Sequence, residues 1–276
     1  MINWLRLFEC AAWEICEKVK PLFGSEKGGK TLGRGAGGDV SKMIDVLAEE
    51  IVIKTLEDKG VSCVLVSEEC GIKRLGKGES SGYVIIDGID GTTNAVHGLP
   101  FVATSLAFAE GPHLKDVQIG LVMDFSRDTI FHAEKGRGAF QDNKQLKTSS
   151  VTTLRNAVIS FEFGHKCNRE KQIRNLTPFL VNSKKIRFLG STALELCYIA
   201  SGALDAFIDV RGTARATDLA AAQLILVEAG GLSVTSTGRP LNITLKATST
   251  SSIISTSNLL LCNNILEKLR VNQNKG

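Results

Sequence analysis

The segment from Tyr83 to Pro100, Tyr-Val-Ile-Ile-Asp-Gly-Ile-Asp-Gly-Thr-Thr-Asn-Ala-Val-His-Gly-Leu-Pro, constrains this chain more than any other. Tyr83 to Ile86 is a short apolar run rich in β-branched residues, the pattern of a buried strand. Asp87 stands at its end, Gly88 releases the backbone from strand geometry, and Asp90-Gly91-Thr92-Thr93 follows. Carboxylates at the end of a buried strand lose hydration that only a cation or strong donors restore. Hard cations such as Mg²⁺ take a few carboxylates, a carbonyl and waters, together with phosphate oxygens. The glycines let backbone N–H groups approach an anion, and Thr92-Thr93 can open a helix whose N-terminus adds positive potential. One strand end thus offers a metal seat beside a phosphate seat. Two Asp-Gly turns in a surface loop would use the same dipeptides, so the other carboxylates must decide.

Two further acidic positions bear on that choice. Val61 to Val66 reads as a strand delivering Glu68 and Glu69 to its end. If it lies beside the Tyr83 strand, four carboxylates converge, and convergence of like charge calls for a cation. Asp218 sits where a polar turn gives way to an apolar helix, Leu219 to Val227, that closes at Gly230-Gly231. Asp is favoured as a helix N-cap in its own right. A cap and a metal ligand are compatible, because one oxygen can take the N–H while the other faces the ion.

Asp87-Gly88-Ile89-Asp90-Gly91-Thr92-Thr93-Asn94 resembles the D-P-I-D-G-T-x-N signature of the inositol monophosphatase family of metal-dependent phosphatases. Thr217-Asp218-Leu219-Ala220-Ala221, continuing to Leu226-Val227-Glu228-Ala229-Gly230-Gly231, resembles the family's W-D-x-A-A…E-A-G-G. Val64-Leu65-Val66-Ser67-Glu68-Glu69 resembles its strand-borne glutamate pair, and the three follow one another in the family's order. The resemblance implies an α/β (α+β) fold, layered as an αβαβα sandwich of the sugar-phosphatase type. It implies two or three Mg²⁺ ions per site, held by Glu68, Asp87, Asp90, Asp218 and the carbonyl of Ile89. Glu69 and Thr92, with Asp45 behind them, would orient and activate the attacking water. The N–H groups of Gly91 and Thr92 would hold phosphate oxygens. Ser191, Thr192, Arg211 and Arg215 are the remaining candidates for substrate contact.

An arginine at position 211, where many eukaryotic members carry an acidic residue, favours an anionic group over a neutral polyol. The Asp-Val-Arg…Arg-Ala-x-Asp wording is similar to that of archaeal members that hydrolyse both fructose 1,6-bisphosphate and inositol 1-phosphate. The expected substrate is therefore a small anionic sugar or inositol phosphate, with a role in carbohydrate metabolism such as gluconeogenesis, and the expected assembly a homodimer. Three departures from the family pattern, Gly88 for proline, Ala95 for an aromatic and Thr217 for tryptophan, remove no ligand. Two alternatives stay open. A nucleotide phosphatase acting on 3′-phosphoadenosine 5′-phosphate would need a pocket able to stack an adenine, and none is identifiable in the sequence. A catalytically silent phospholigand-binding protein would have no need of Glu69 or Thr92.

Composition excludes several other classes. The 276 residues can bury a substantial core as one large or two modest units. A net charge of +4, with no long Lys/Arg run, gives no stripe for nucleic acid but suits an anionic small substrate. No apolar run approaches a membrane span, and the amphipathic, charged N-terminus does not read as a signal peptide, so a cytoplasmic location is expected. Seven cysteines without a Cys-x-x-Cys pair suggest neither a disulfide framework nor structural zinc. Cys10, Cys16 and Cys197 read as buried thiols on helix faces.

Along the chain, Asn3 caps a helix to about Val19, and the basic, glycine-rich Ser25 to Gly38 reads as a mobile loop or loose hairpin. The resemblance adds a loop reaching over the active site. Ser41 opens a second helix, with Asp45 and Glu49 off its apolar stripe and Glu49 on an exposed face. Residues 101 to 147 alternate as antiparallel strands, and Ser149 to Thr153 is a polar joint. Beyond it, strands and helices alternate to a last strand at Ile253 to Thr256 and a helix from Asn258. We therefore divide the chain into 1–150, with most metal ligands, and 151–276, with the substrate loop and Asp218, together forming one unit.

Overall fold

The computed structural model describes residues 2–164 and 168–273. Asn3 accepts the Arg6 N–H at 3.1 Å and opens α1 (Trp4–Lys18), which buries Trp4, Phe8, Ala11, Ala12 and Ile15 at helical spacing. The glycine-rich connector is a hairpin, β1 (Thr31–Arg34) against β2 (Val40–Lys42). Ser41 lies within β2 instead of opening the next helix. That helix, α2 (Met43–Asp58), starts where the Asp45 carboxylate accepts the Lys42 N–H at 2.9 Å. β3 (Cys63–Ser67) turns back into β4 (Gly71–Leu75), whose exposed Ile72, Lys73 and Arg74 carry no strand alternation. There follow β5 (Tyr83–Asp90), α3 (Thr92–Val96), β6 (Ala103–Ala109), β7 (Val117–Asp124), β8 (Thr129–Glu134), β9 (Ala139–Gln141) and β10 (Lys144–Gln145).

The second half runs through β11 (Val158–Phe161), α4 (Arg169–Asn182), β12 (Lys185–Arg187), α5 (Thr192–Ala200) and β13 (Ala206–Arg215). It ends with α6 (Ala216–Glu228), β14 (Leu232–Val234), β15 (Thr250–Thr256) and α7 (Leu259–Gln273). Arg211 and Arg215 thus lie in a long strand and not in the loop expected for them.

Eight strands form one sheet in the order β10-β9-β8-β7-β6-β5-β3-β4, and five form another in the order β12-β11-β13-β15-β14. α1 and α2 cover the outer face of the first sheet, around Phe8, Ile15, Ile44, Leu65 and Phe125. α5 and α6 fill the space between the sheets, and α4 and α7 close the outer face of the second, around Phe161, Phe179 and Leu261. The result is the layered αβαβα sandwich. Of Cys10, Cys16 and Cys197, the last is buried as expected, but Cys10 is exposed and Cys16 is intermediate, because α1 packs on one face only.

Two details of β5 prepare the site. The strand does not stop at Ile86. It pairs with β6 through Asp87↔Ser105 and Asp90↔Ala103, three residues on one side against two on the other. Residues three apart on a regular strand face opposite ways, and this bulge corrects the parity. Gly88 sits inside it, where a Cβ would lie 3.0 Å from Ala48 Cβ and 3.1 Å from the Asp45 carbonyl. Its bare backbone lets α2 lie directly on the strand.

Candidate active site

β3 and β5 run parallel, with Ser67 opposite Ile86, so Glu68 and Asp87 leave adjacent strand ends side by side. Asp218 arrives from the first turn of α6. Arg215, not Asp218, occupies the cap position, and Asp218 is the third helical residue, steadied by the Thr217 hydroxyl at 3.0 Å. One carboxylate oxygen from each of Glu68, Asp87 and Asp218 lies within 4.8 Å of the others. Burial pushes the Asp87 and Asp218 carboxyls well above their ordinary range, and the neighbouring Glu68 charge pushes them further.

Asp90 stands slightly apart from that trio. Its Oδ2 accepts the Ser191 hydroxyl and the Ala193 N–H, both at 2.7 Å, at the N-terminus of α5. Burial raises its pKa to about 6, while those two donors oppose the rise. Ser191 also caps α5, so its hydroxyl is committed to holding Asp90; Thr192, buried beside it, begins the helix. The Thr92 hydroxyl reaches both Asp45 Oδ1 at 2.9 Å and the Ile89 carbonyl at 3.0 Å. Asp45, expected off the apolar stripe, is buried against β5, and burial lifts its pKa to about 7 against the donors from Lys42 and Thr92. A carboxyl poised near neutrality behind a hydroxyl can take up or hold a proton in the physiological range. Gly91 adopts φ 92° as the N-cap of α3, and a Cβ there would lie 2.7 Å from the Phe101 carbonyl.

Glu49 corrects the expectation of an exposed helical face. It is 4% exposed and accepts the Ser67 hydroxyl, the Glu69 N–H at 3.3 Å and the Cys70 N–H at 3.2 Å. The turn that carries Glu68 and Glu69 is therefore pinned from α2. Its spacing, four residues after Asp45, was the signal available: both project from adjacent turns of one face. Asn94 ties α3 to the Leu189 carbonyl at 2.7 Å and the Phe101 carbonyl at 3.0 Å.

The hairpin lies over the glutamate pair. Gly37 N–H donates to the Glu68 carbonyl at 2.8 Å, Ala36 N–H to the Glu69 carbonyl at 3.1 Å, and the Ser41 hydroxyl to the Glu69 carboxylate. Arg215 joins the two parts, bonding Glu68 at 2.6 Å and the Asp39 carboxylate of the hairpin. Arg211 lies earlier in β13, held by Asp209 through bonds of 2.9 and 2.8 Å and facing Glu162 at 3.5 Å.

The donor set is all oxygen, with neither imidazole nor thiolate, and two of its carboxylates are deeply desolvated. That chemistry fits a hard divalent cation. A sequence model of the inositol monophosphatase family matches residues 4–271. A fructose-1,6-bisphosphatase/inositol-1-monophosphatase of Methanothermobacter thermautotrophicus is 35% identical over 269 residues, 94% of each chain. A bifunctional NADP phosphatase/NAD kinase of Methanococcus maripaludis is 35% identical over 90% of this chain and 46% of its own length. A solved inositol monophosphatase-fructose 1,6 bisphosphatase is 31% identical and superposes with a TM-score of 0.83 over 97% of this chain and 100% of that one. With matches that run nearly end to end, the chain belongs to the inositol monophosphatase family of phosphatases.

Proposed function

We propose that this protein is a Mg²⁺-dependent phosphomonoesterase acting on fructose 1,6-bisphosphate, inositol 1-phosphate or both. The supporting observation is the parallel register of β3 and β5, which sets Glu68 and Asp87 within reach of Asp218 and beside the Thr92–Asp45 pair. Glu68, Asp87, Asp90, Asp218 and the Ile89 carbonyl would hold two or three Mg²⁺ ions. Bound metal supplies charge neutralisation of the phosphate, a lowered pKa for water and stabilisation of the leaving oxygen. Phosphoryl transfer needs mainly positioning and charge stabilisation, so the chain requires no covalent nucleophile. The Thr92 hydroxyl and the Glu69 carboxylate orient the attacking water, and Asp45 accepts the proton passed through Thr92. The Gly91 and Thr92 N–H groups receive phosphate oxygens. Arg211 and Arg215 supply positive charge on the substrate side. The homodimer rests on family resemblance. Among the described residues no helix is long and apolar enough to cross a membrane, and gel filtration reads the assembly directly.

Phosphate release from fructose 1,6-bisphosphate, inositol 1-phosphate, 3′-phosphoadenosine 5′-phosphate and NADP, each with Mg²⁺ and with chelator, tests the reading. Turnover of one of the first two that chelator abolishes is expected; turnover indifferent to chelator would overturn it. Preference for NADP would favour the activity that one relative's name carries. Within the site, Glu68→Gln should chiefly raise the Mg²⁺ requirement, whereas Glu69→Gln should lower kcat even at saturating metal. Equal rescue of both by added Mg²⁺ would remove the division of roles.

A further inference from the structure

β11 and β13 repeat, in the second sheet, the arrangement that gathers carboxylates in the first. They run parallel with Phe161 opposite Ile208, so Glu162 and Asp209 follow on neighbouring strands. Here an arginine stands between them. The β13–β15 ladder passes from Asp209↔Ile253 to Ala214↔Ser251, so Val210 to Thr213 bulge out of it, with Gly212 at φ 80°. The bulge folds Arg211 back on Asp209. Asp209 Oδ1 accepts both the Arg211 backbone N–H and the Nε–H at 2.9 Å, and Oδ2 accepts from Nη2 at 2.8 Å. Glu162 meets the other corner of the guanidinium, Nη1, at 3.5 Å. Gly164 leaves room for that corner, since a Cβ there would lie 2.5 Å from the same nitrogen.

The two carboxylates are not equivalent. The Asp209 side chain is fully buried and its contact is a charge-assisted fork, the strongest form of such a pair. The Glu162 side chain is 23% exposed, its contact is long, and it lines a cleft that Asn94 and Gly190 also border. Burial holds the Glu162 carboxyl above its ordinary range, so the Arg211 contact does not fully offset its desolvation. Asn94 belongs to the helix that Gly91 caps, and the Gly190 carbonyl lies 3.3 Å from where a Gly91 Cβ would be. A substrate whose phosphate sits at Gly91 and Thr92 therefore brings its remaining groups up to Glu162, with Arg211 on the far side.

One guanidinium between two carboxylates leaves no positive charge over for a further anion. We propose that Glu162 sets the specificity of the site by competing for Arg211 with the far anionic group of a bisphosphate. While Glu162 holds Arg211, the cleft offers a carboxylate to the hydroxyls of a polyol monophosphate. A second phosphate reaches the guanidinium only by displacing Glu162, because Asp209 is fixed in its buried fork. The proposal rests on the phosphatase reading for the position of the scissile phosphate, and on the Asp209–Arg211–Glu162 geometry for the competition.

The test measures kcat and KM for fructose 1,6-bisphosphate and inositol 1-phosphate on wild type and Glu162→Gln, a change that keeps the side chain's shape and removes its charge. For the bisphosphate kcat/KM should rise about tenfold. The gain should lie in KM, since a contact to the phosphate that is not cleaved strengthens ground and transition state alike. Inositol 1-phosphate, with no second phosphate, should gain nothing. An equal gain on both substrates, or no gain on the bisphosphate, would overturn the competition, as would a gain confined to kcat. Glu162→Ser, which also removes the competitor, gives the same comparison if a melting curve shows Glu162→Gln to be unfolded. If wild type hydrolyses no phosphomonoester, the phosphatase reading fails by itself. Equilibrium dialysis of fructose 1,6-bisphosphate against wild type and Glu162→Gln then decides the competition, with tighter retention by the variant expected and equal retention overturning it.

Discussion

Glu49 shows how a residue distant from the reacting atoms can set the geometry of those that are close. Its carboxylate gathers one hydroxyl and two N–H groups from Ser67 to Cys70, the turn whose middle residues are Glu68 and Glu69. Removing it strands these donors in a buried pocket, where each unsatisfied group costs about 1–3 kcal/mol. Glu49→Ala should lower unfolding stability by about 2 kcal/mol or more and raise the Mg²⁺ concentration for half-maximal rate, while kcat at saturating Mg²⁺ changes less. Urea unfolding and a Mg²⁺ titration measure the two effects. A stability loss with an unchanged Mg²⁺ requirement would confine Glu49 to holding the fold.

At the scale of elements, the site is made of endings: the ends of β3 and β5 and the beginnings of α3, α5 and α6. Strand ends deliver carboxylates and helix starts deliver N–H groups, so negative and positive partial charges meet at one place. Asp90 is the clearest instance, because a β5 carboxylate takes the Ala193 N–H in the first turn of α5. Gly91 is the joint on which α3 turns. Gly91→Ala combines a left-handed backbone with a contact of 2.7 Å to the Phe101 carbonyl. A strained backbone of this kind costs about 1–3 kcal/mol. The variant should melt lower and lose at least tenfold in kcat/KM, as the phosphate donors shift with the joint. Wild-type kinetics in Gly91→Ala would show that the α3 N–H groups do not hold phosphate.

At the scale of the molecule, buried acids make stability depend on pH and metal together. Asp45, Asp87, Asp90 and Asp218 all have folded pKa values above the ordinary 3.8, reaching about 7 for Asp45 and about 6 for Asp90. The native state then binds more protons than the unfolded chain between those values. Stability in chelator is therefore greatest near pH 4, as far as these groups decide it, and falls as pH rises to about 7. Mg²⁺ offsets the charge it meets, so its stabilising effect should grow over the same interval. Melting curves with EDTA and with Mg²⁺ at pH 5, 6, 7 and 8 should show the two sets diverging as pH rises. Parallel sets would remove the carboxylate cluster as the metal seat. Because α5 and α6 pack against both sheets, residues 1–150 and 151–276 should melt in one transition.

Which elements form, and where their acidic ends lie, was written locally. An apolar β-branched run followed by Asp-Gly-Ile-Asp-Gly needs only its neighbours to become a strand with a charged end. The same holds for the apolar helix behind Asp218 and the cap at Asn3. What the chain order left open was everything set by contact between distant segments. Periodicity places Glu49 off the apolar stripe of α2 but does not say that β3 ends beneath it. It marks Arg215 as a charge in a turn, yet its partners, Glu68 and Asp39, lie 147 and 176 residues away. Asn94 in α3 holds the Leu189 carbonyl, 95 residues away, a contact that chain order does not give. Local chemistry depends on neighbours along the chain, whereas a site depends on register and layer packing, which thousands of weak contacts fix together.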